Sequence, residues 1–528
     1  MSQQEPLFPS MDEMLEAQEF AGRPALDLIQ EIQHLYLEND KPWVIGFSGG
    51  KDSTTVLSLV YVALTRLPRK QRHKHIYVIS SDTLVETPLV VDMVNSVIET
   101  INENAKVLNL PMSAHVVYPA WNETFWANLL GKGYPAPTQN FRWCTERMKI
   151  DPVSEFIKDK VARFGEVIVV LGARSQESSS RAQVIAKHKI EGSSLSRHTS
   201  LPGAFTYMPI EDWTFDEVWM YLLGAPAPWG GDHFELFDLY KDSSAGECPL
   251  VIDTKTPSCG NSRFGCWTCT VVTKDRAIEG LIDSGETWLL RLKEFRNELY
   301  ETTLPENKDQ VRNYKRRTGR VQYARGSVES DDFNEVKTIP GPYYLWKRKE
   351  WLKELLTIEK SLKDAGKHIE LIRPEELHAI RKEWMFDPNE PDWSDELPAI
   401  YRAVYDKDLD WVEHDAGAFS QADAELLQSL SREHGVPAEL VMKLLELELS
   451  MDGLSRRQGL FGKIESLLKN DWGTLEEIHA AKENAAHSSE LKKRLKKELK
   501  EQTADQQIKS IYDEQLKALA AEYEGLKA

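Results

Sequence analysis

The sequence predicts an α/β fold, a mainly parallel sheet with helices on both faces, followed by a Cys-rich loop region and a helical C-terminal part. Three observations carry this prediction. Short apolar runs alternate with helix-like stretches from Trp43 to about Ile210, the order that parallel sheets require. A stretch from Gly224 to about Thr273 lacks sustained periodicity and holds four of the five cysteines. From roughly Gln421 the pattern is almost wholly helical.

Taken in order, the candidate strands are Trp43–Phe47, Ile76–Ser80, His115–Tyr118, Glu166–Leu171 and Thr206–Ile210, rich in the Val, Ile and Tyr that strands favour. Residues 54–67 and 89–108 between them read as helices. Ligands in such sheets bind at the carboxyl ends of the strands. Thr214 and Glu217 stand in capping-box spacing, which starts a further helix and puts Asp212 and Trp213 at its entrance. The long loop after it needs a function or an internal tie. Beyond Arg276 helix patterns return, broken by the basic segment VRNYKRRTGRVQYARG and the turn-like IPGPYY. Leu491, Leu495 and Leu499 form a stripe that suits packing on the same domain or a partner. The expected organisation is a helical lead-in (1–39), an α/β core (40–223), a cysteine-rich region (224–275), a helical and basic extension (276–385), an acidic linker (386–420) and a helical tail (421–528).

A chain of 528 residues buries enough core to fold without disulfides or metal, so stability does not explain the cysteines. No charged-then-apolar leader opens it, and no uncharged apolar run reaches the roughly 18 residues of a membrane span. The expectation is a soluble, cytoplasmic protein without membrane contact. In that reducing compartment cysteines serve as metal ligands or reactive thiols. The net charge of -19 argues against indiscriminate polyanion binding. Any contact with nucleic acid must be local or supplied by a partner.

The segment WVIGFSGGKDSTTVLSLV carries Ser48, Gly49, Gly50, Lys51, Asp52 and Ser53 from an apolar strand into a helix. A Ser-Gly-Gly turn there presents backbone N–H groups at the positive end of the helix dipole, an anion site. Asp52 fits such a cradle only if it meets a cation, and Mg2+ between it and phosphates is the natural candidate. The spacing is not the Gly-x-x-x-x-Gly-Lys-Ser/Thr of Walker A. It resembles the PP-loop of ATP pyrophosphatases. That likeness implies a grip on the pyrophosphate end of ATP while the α-phosphate is attacked.

Three more segments resemble elements of the phosphoadenylyl-sulfate reductase branch of these enzymes. SSDTLVETP (80–88) carries Asp82, Thr83 and Glu86; GARSQESSSRA (172–182) carries Gly172, Arg174, Glu177 and Arg181; PIEDWTFDEVWMYL resembles the branch's Asp-Trp helix. Arg174 and Arg181 can fork onto phosphate oxygens, and Glu177 can hold an Arg or a base-edge donor. The resemblance implies that these residues, with Ser48–Ser53, bind ATP, and that Lys51, Asp52 and Arg174 act in catalysis.

Cys248, Cys259, Cys266 and Cys269 cluster in sequence, and Cys144 lies apart in FRWCTERMKI. The Cys266-Trp-Thr-Cys269 unit can share one metal centre. Four thiolates suit either tetrahedral zinc or an iron-sulfur cluster, and spacing does not choose between them. The iron-sulfur members of the reductase branch pair a cysteine near the position of Cys144 with a distal Cys-x-x-Cys. The resemblance therefore implies Cys144, Cys259, Cys266 and Cys269 as ligands of a [4Fe-4S] cluster. Cys248 is then left to carry a persulfide, or to serve as an alternative ligand. A structural zinc knot of the four clustered cysteines is the competing expectation.

The ensemble of GFSGGKDSTT, VISSDTLVETP, FRWCTERMKI, SRHTSLPGAFTYMPIEDW, APWGGD, GECPLV and TPSCGNSRFGCWTCTVV is similar to the DndC family of DNA phosphorothioation sulfurtransferases, from about residue 40 to residue 350 and much more weakly in the tail. Assimilatory sulfonucleotide reductases end with a further cysteine nucleophile, whereas no cysteine follows Cys269 here. The resemblance implies that ATP adenylates a DNA phosphate, with Mg2+, and that a sulfur nucleophile displaces AMP. Arg142, Arg147 and Lys149 flank Cys144 and are expected to lower its pKa. Arg312, Lys315, Arg316, Arg317, Arg320 and Arg325, interleaved with Tyr314 and Tyr323, are the DNA-binding candidates. The implied partners are DNA, a cysteine desulfurase as sulfur donor and other Dnd proteins. Competing readings are sulfonucleotide reduction, tRNA thiolation, and a non-catalytic nucleotide-sensing subunit with structural zinc.

Overall fold

The structure, a computed structural model, describes residues 11–177, 183, 186–224, 226–243, 265–324, 337–387, 389–392, 394–411, 421–449, 459–501 and 507–525. The chain forms two compact units. The first comprises 1–307, 346–383 and 396–412; the second comprises 308–345, 384–395 and 413–528.

The first unit opens with helix α1 (Met11–Ala17), a short hairpin of β1 (Glu19–Phe20) and β2 (Arg23–Pro24), and helix α2 (Ala25–Leu37). A sheet follows, made of β3 (Trp43–Gly46), β4 (Ile76–Ser81), β5 (Met112–Val117), β6 (Val167–Val170), β7 (Leu195–Arg197) and β8 (Ala204–Tyr207). Its strand order is β5-β4-β3-β6-β8-β7, parallel throughout except for β7. The chain builds outward from β3 to β4 and β5, then returns to lay β6 on the other side of β3. That reversal makes the β3–β6 boundary the topological switch point, where open α/β sheets bind ligands.

Helices α3 (Lys51–Arg66), α4 (Pro88–Val107) and α5 (Asp151–Phe164) connect the parallel strands. Ser53 to Leu64 of α3 are all buried, which explains an unbroken run of small and apolar residues there. By contrast α4 buries Val90, Met93, Val94, Ile98, Ile101 and Ala105, spaced three or four apart on one face. Trp43 lies between Tyr36 and Tyr207, with ring centroids 5.8 and 6.1 Å away. The strand β7 was not foreseen, because Leu195-Ser196-Arg197 is short and lacks an apolar pattern. The capping box forms: Thr214 N donates to Glu217 Oε2 (2.7 Å) and Glu217 N to Thr214 Oγ1 (3.2 Å), opening helix Phe215–Gly224.

Later segments complete this unit. Trp126 Nε1 donates to the Leu371 carbonyl (2.7 Å), Arg348 Nη1 to that of Gly131 (2.7 Å) and Trp351 Nε1 to Glu298 Oε1 (2.7 Å). Helix Glu396–Tyr405, inside the stretch expected as a linker, buries Leu397, Tyr401 and Val404.

The second unit holds helices Gln421–His434, Ala438–Leu449, Leu460–Leu468, Leu475–Glu501 and Gln507–Gly525 together with the basic segment. No helix among the described residues is long and apolar enough to cross a membrane.

Candidate functional site

The turn after β3 is shaped by its glycines. Gly49 has φ +72°, and a Cβ there would meet Val94 Cγ2 at 2.4 Å, so only glycine lets α4 approach this closely. Gly50 occupies the cap of α3 and no side chain caps the helix. Ser53 Oγ ties the turn, donating to the Gly50 carbonyl (2.9 Å) while lying 3.2 Å from both the Ser48 amide and the Ser48 hydroxyl. A Cβ at Gly50 would stand 3.5 Å from Ser48 Oγ and 3.4 Å from the Tyr240 hydroxyl. The result is a small cradle of N–H and O–H donors at a helix N-terminus, the arrangement that suits phosphate.

Asp52 does meet cations, and they are protein side chains. Lys51 Nζ lies 2.8 Å from Asp52 Oδ2, and Arg174 Nε donates to Asp52 Oδ1 at 2.6 Å. Arg174 is 5% exposed, and its Nη1 also donates to the Trp213 carbonyl (3.4 Å). Trp213 stacks on Phe20 with centroids 4.4 Å apart, which fixes that carbonyl. Lys51 runs over the rings of Phe215 (5.0 Å) and Tyr240 (5.8 Å). Gly172, after β6, packs so closely that a Cβ would fall 2.6 Å from the Asp52 carbonyl. The loops after β3 and β6 therefore lock together across the switch point.

On the other flank of β3, the loop after β4 carries Asp82, Thr83 and Glu86. Asp82 N donates to the Val117 carbonyl (3.0 Å), and the Asp82 carboxylate accepts from Leu84 N (2.8 Å). Burial, then the charge of Glu86, push the Asp82 carboxyl above its ordinary range against that amide bond. Arg373, beyond the sequence motifs, adds a cation near Asp82 and lies 5.2 Å from the centre of the Tyr118 ring.

This loop and the Cys-x-x-Cys turn are hydrogen-bonded to each other. Glu86 and Cys266 form an antiparallel bridge. Trp267 N donates to the Val85 carbonyl (2.9 Å), and Thr87 sends its amide (3.3 Å) and hydroxyl (3.1 Å) to the Gly265 carbonyl. Thr83 Oγ1 lies 3.4 Å from Cys266 Sγ and donates to Glu86 Oε1 at 3.0 Å. At the far end Arg296, fully buried, donates to the carbonyls of Cys269 (2.8 Å), Thr273 (2.9 Å) and Val272. The turn is held at both ends before any ligand is considered.

Cys144, Cys266 and Cys269 are free thiols that influence one another electrostatically. The expected lowering of the Cys144 pKa is not what the structure gives. Burial, then the neighbouring Cys269, push it up, with Lys149 opposing. Arg147 is committed elsewhere, to Glu123 (2.5 Å), Asn128 (2.6 Å) and the Tyr134 ring (4.8 Å). Burial, then Glu86, raise Cys266 too. Lys149 is the nearby cation: its Nζ lies 3.1 Å from Glu86 Oε1. Burial opposes its charge, but Cys266, Glu86 and Cys144 together raise its pKa. Among the described residues no three His, Cys, Asp or Glu side chains form a group that could hold a metal ion. Cys248, Cys259 and Arg181 lie outside the described residues, whereas Glu177 ends the short helix Ser175–Glu177 after β6.

The DNA-binding candidates belong to the second unit. Arg312 donates to the carbonyls of Gly341 (2.8 Å) and Pro340 (2.7 Å), and Arg316 also to that of Pro340 (2.8 Å), so these two brace the IPGPYY turn. Lys315 is half-buried, and burial lowers its pKa. Arg317 is half-buried, Arg320 is exposed, and Arg325 lies outside the described residues.

Residues 42–272 match the family model of the phosphoadenosine phosphosulfate reductase domain. Over this span the chain is similar to that domain. All of the loops described above around β3, β4 and β6, and the Cys266–Cys269 turn, fall within the matched residues. Two uncharacterized proteins of Methanocaldococcus jannaschii are 30% and 24% identical over 207 and 200 residues, 39% and 38% of this chain. The chain spans only 36% and 40% of the length of those relatives. Solved structures similar to it include a phosphoadenylyl-sulfate reductase from Candida auris in a phosphate complex (16% identity, TM-score 0.25, 37% of this chain and 77% of that one). A second is the FMN adenylyltransferase of Candida glabrata with FAD and inorganic pyrophosphate (12%, 0.27, 52% and 77%). A third is the U34-tRNA thiolase NcsA of Methanococcus maripaludis with its [4Fe-4S] cluster (12%, 0.23, 42% and 74%).

Proposed function

We propose that the chain is an ATP-dependent sulfurtransferase that activates a DNA backbone phosphate and helps replace a non-bridging oxygen with sulfur. The observation that carries this reading is the joining of two chemistries in one place: the Asp82–Thr87 loop flanking the phosphate cradle is hydrogen-bonded to the cysteine turn Gly265–Cys269. An activating site and a sulfur-handling site are adjacent through the backbone.

In this reading the turn Ser48–Ser53 cradles the triphosphate, Lys51 and Arg174 offset charge as it develops on the departing pyrophosphate, and Mg2+ accompanies the nucleotide. Asp52 holds both cations in place. A non-bridging DNA oxygen attacks the α-phosphorus; a P–O bond forms, the α–β anhydride breaks and pyrophosphate leaves. A sulfur nucleophile then attacks the activated DNA phosphorus and AMP departs with the oxygen. When the sulfur arrives as a persulfide, a second thiolate takes the carrier sulfur as a disulfide and the P–S bond stays on the DNA. Cys248 is the proposed carrier.

Cys144, Cys266 and Cys269, with Cys259, are the proposed ligands of a [4Fe-4S] cluster. Cys144 and Cys266 act electrostatically on Lys149, and Cys269 acts on both of those thiols, but the described thiols do not by themselves make up a metal-holding group. When bound, the cluster would supply soft iron able to hold sulfur. The proposed partners are DNA, a cysteine desulfurase and other Dnd proteins, with exposed Arg320 as a candidate phosphate contact.

The match to a phosphosulfate reductase domain favours a second reading, reduction of an activated sulfate. The lack of any cysteine after Cys269 weighs against it. Nuclease digestion and mass analysis of DNA from cells with and without the protein separates the two. Sulfur in a dinucleotide linkage that appears only with the protein supports transfer to DNA; its absence alongside protein-dependent sulfite formation supports reduction.

A further inference from the structure

Helix Phe234–Ser243, from the stretch that shows no periodicity in the sequence, brings a hydroxyl to the cradle at Ser48–Ser53. A Cβ built on Gly50 would stand 3.4 Å from Tyr240 Oη and 3.5 Å from Ser48 Oγ, so the two hydroxyls flank one point of the turn. Gly50 has φ -80° and ψ 160°, a conformation any residue adopts, so backbone strain does not call for glycine here. What the missing side chain leaves is space between the hydroxyls. Ser48 is exposed and Gly50 and Tyr240 are half-buried, so the turn is reachable from solvent. The Tyr240 ring is fixed from behind: its centroid lies 5.2 Å from that of the fully buried Trp219, edge to face, and 5.8 Å from Lys51 Nζ. Ser243 Oγ donates to the Tyr240 carbonyl (2.9 Å), and Gly280 of helix Arg276–Asp283 packs so tightly that a Cβ would fall 2.4 Å from the Asp242 carbonyl. Phenylalanine would keep the ring contacts. Tyrosine adds a donor beside the cradle.

We propose that Tyr240 binds the pyrophosphate end of the nucleotide, its hydroxyl donating a hydrogen bond to a phosphate oxygen seated over Gly50. This rests on the reading of Ser48–Ser53 as the ATP cradle given above. The turn supplies amides and the Ser48 hydroxyl, whereas Tyr240 comes from a separate helix, so a phosphate between them is held by two elements of the fold. A hydrogen bond to an ionised oxygen is about twice as strong as a neutral one. The phenol carries no charge, so it grips phosphate without competing with Asp52 for Lys51 and Arg174. AMP, which lacks the two outer phosphates, does not receive this bond.

The test compares full-length wild type and Y240F, each titrated calorimetrically with magnesium pyrophosphate and with AMP, alongside urea unfolding. The expected result is about tenfold weaker pyrophosphate binding to Y240F, the loss of one hydrogen bond to a charged group, with AMP affinity and the unfolding midpoint unchanged. Wild-type pyrophosphate affinity in Y240F overturns the role of Tyr240 and leaves the cradle reading intact. So does a loss shared equally by AMP, or one that comes with a lower unfolding midpoint, since either marks a structural part for the hydroxyl. Pyrophosphate that fails to bind the wild type overturns the cradle reading itself, and the inference with it.

Discussion

Glu86 and Cys266, 180 residues apart in the chain, face each other across an antiparallel bridge, with Cys266 Sγ 3.8 Å from Glu86 Oε1. One belongs to the loop proposed to bind nucleotide and the other to the turn proposed to bind the cluster. A ligand that orders either strand of this bridge orders the other, so the two binding events share a coupling free energy, and linkage makes it reciprocal.

Iron removal by a chelator is therefore expected to weaken nucleotide binding by about fivefold or more, and saturating nucleotide to slow iron loss. Calorimetric titration of a non-hydrolysable ATP analogue into loaded and stripped protein measures the first effect. Equal affinities would show that the bridge transmits nothing.

The Asp52–Arg174 pair closes the switch point with side chains 16% and 6% exposed. Removing one partner leaves a charge with little access to water, at a cost of about 3–5 kcal/mol. Asp52→Ala is expected to lose about this much in denaturant unfolding, Arg174→Ala less because Asp52 keeps Lys51 at 2.8 Å, and the double variant distinctly less than their sum. Strict additivity in the double-mutant cycle would mean that the pair is not coupled in solution.

Glu376 sets a pH dependence. It is fully buried, and burial pushes its carboxyl up to about 7, opposed by the Arg373 amide and charge and reinforced by Glu370. The folded pKa exceeds the ordinary 4.5, so the protonated group's contribution is complete below about pH 4.5 and is lost as pH rises to about 7. The difference corresponds to about 3 kcal/mol. Glu376→Gln is expected to gain stability relative to wild type by about that amount between pH 4.5 and pH 8. A constant difference between the two proteins across this range would refute the assignment.

In the second unit Asp471 organises the basic segment. Its Oδ2 accepts from Val321 N (2.6 Å) and Lys482 Nζ (2.8 Å), and its amide donates to the Gly319 carbonyl (3.0 Å). Asp471→Ala strands the Val321 amide and the Lys482 charge, at a cost of about 2 kcal/mol. Faster trypsin cleavage after Arg316, Arg317 or Arg320 is the expected readout, and an unchanged rate would count against this role.

Much of the fold was legible because its signals are local. Apolar runs ending in Ser-Gly-Gly or Asp-Thr mark strand ends, and Thr214 with Glu217 marks a helix start. The start of β5 was placed three residues late, at His115 instead of Met112. The site's individual loops were legible for the same reason, but their mutual contacts were not. Nothing in the sequence pairs Val85 with Trp267, or brings Arg373 toward Asp82, because these approaches depend on tertiary packing between distant segments. The hydrogen bonds of Arg312 and Arg316 to the carbonyls of Pro340 and Gly341 were equally illegible, because those partners lie 24 to 29 residues further along the chain.

The central claim is that the cradle at Ser48–Ser53 directs attack to the α-phosphate of ATP. The most direct test incubates the anaerobic protein with Mg2+, DNA, a cysteine desulfurase with cysteine, and ATP labelled at the α-phosphorus, then separates the labelled products. The account predicts AMP, with pyrophosphate in equal amount, and neither from Lys51→Ala. Labelled ADP with free phosphate, or ATP left uncleaved under these conditions, would contradict it.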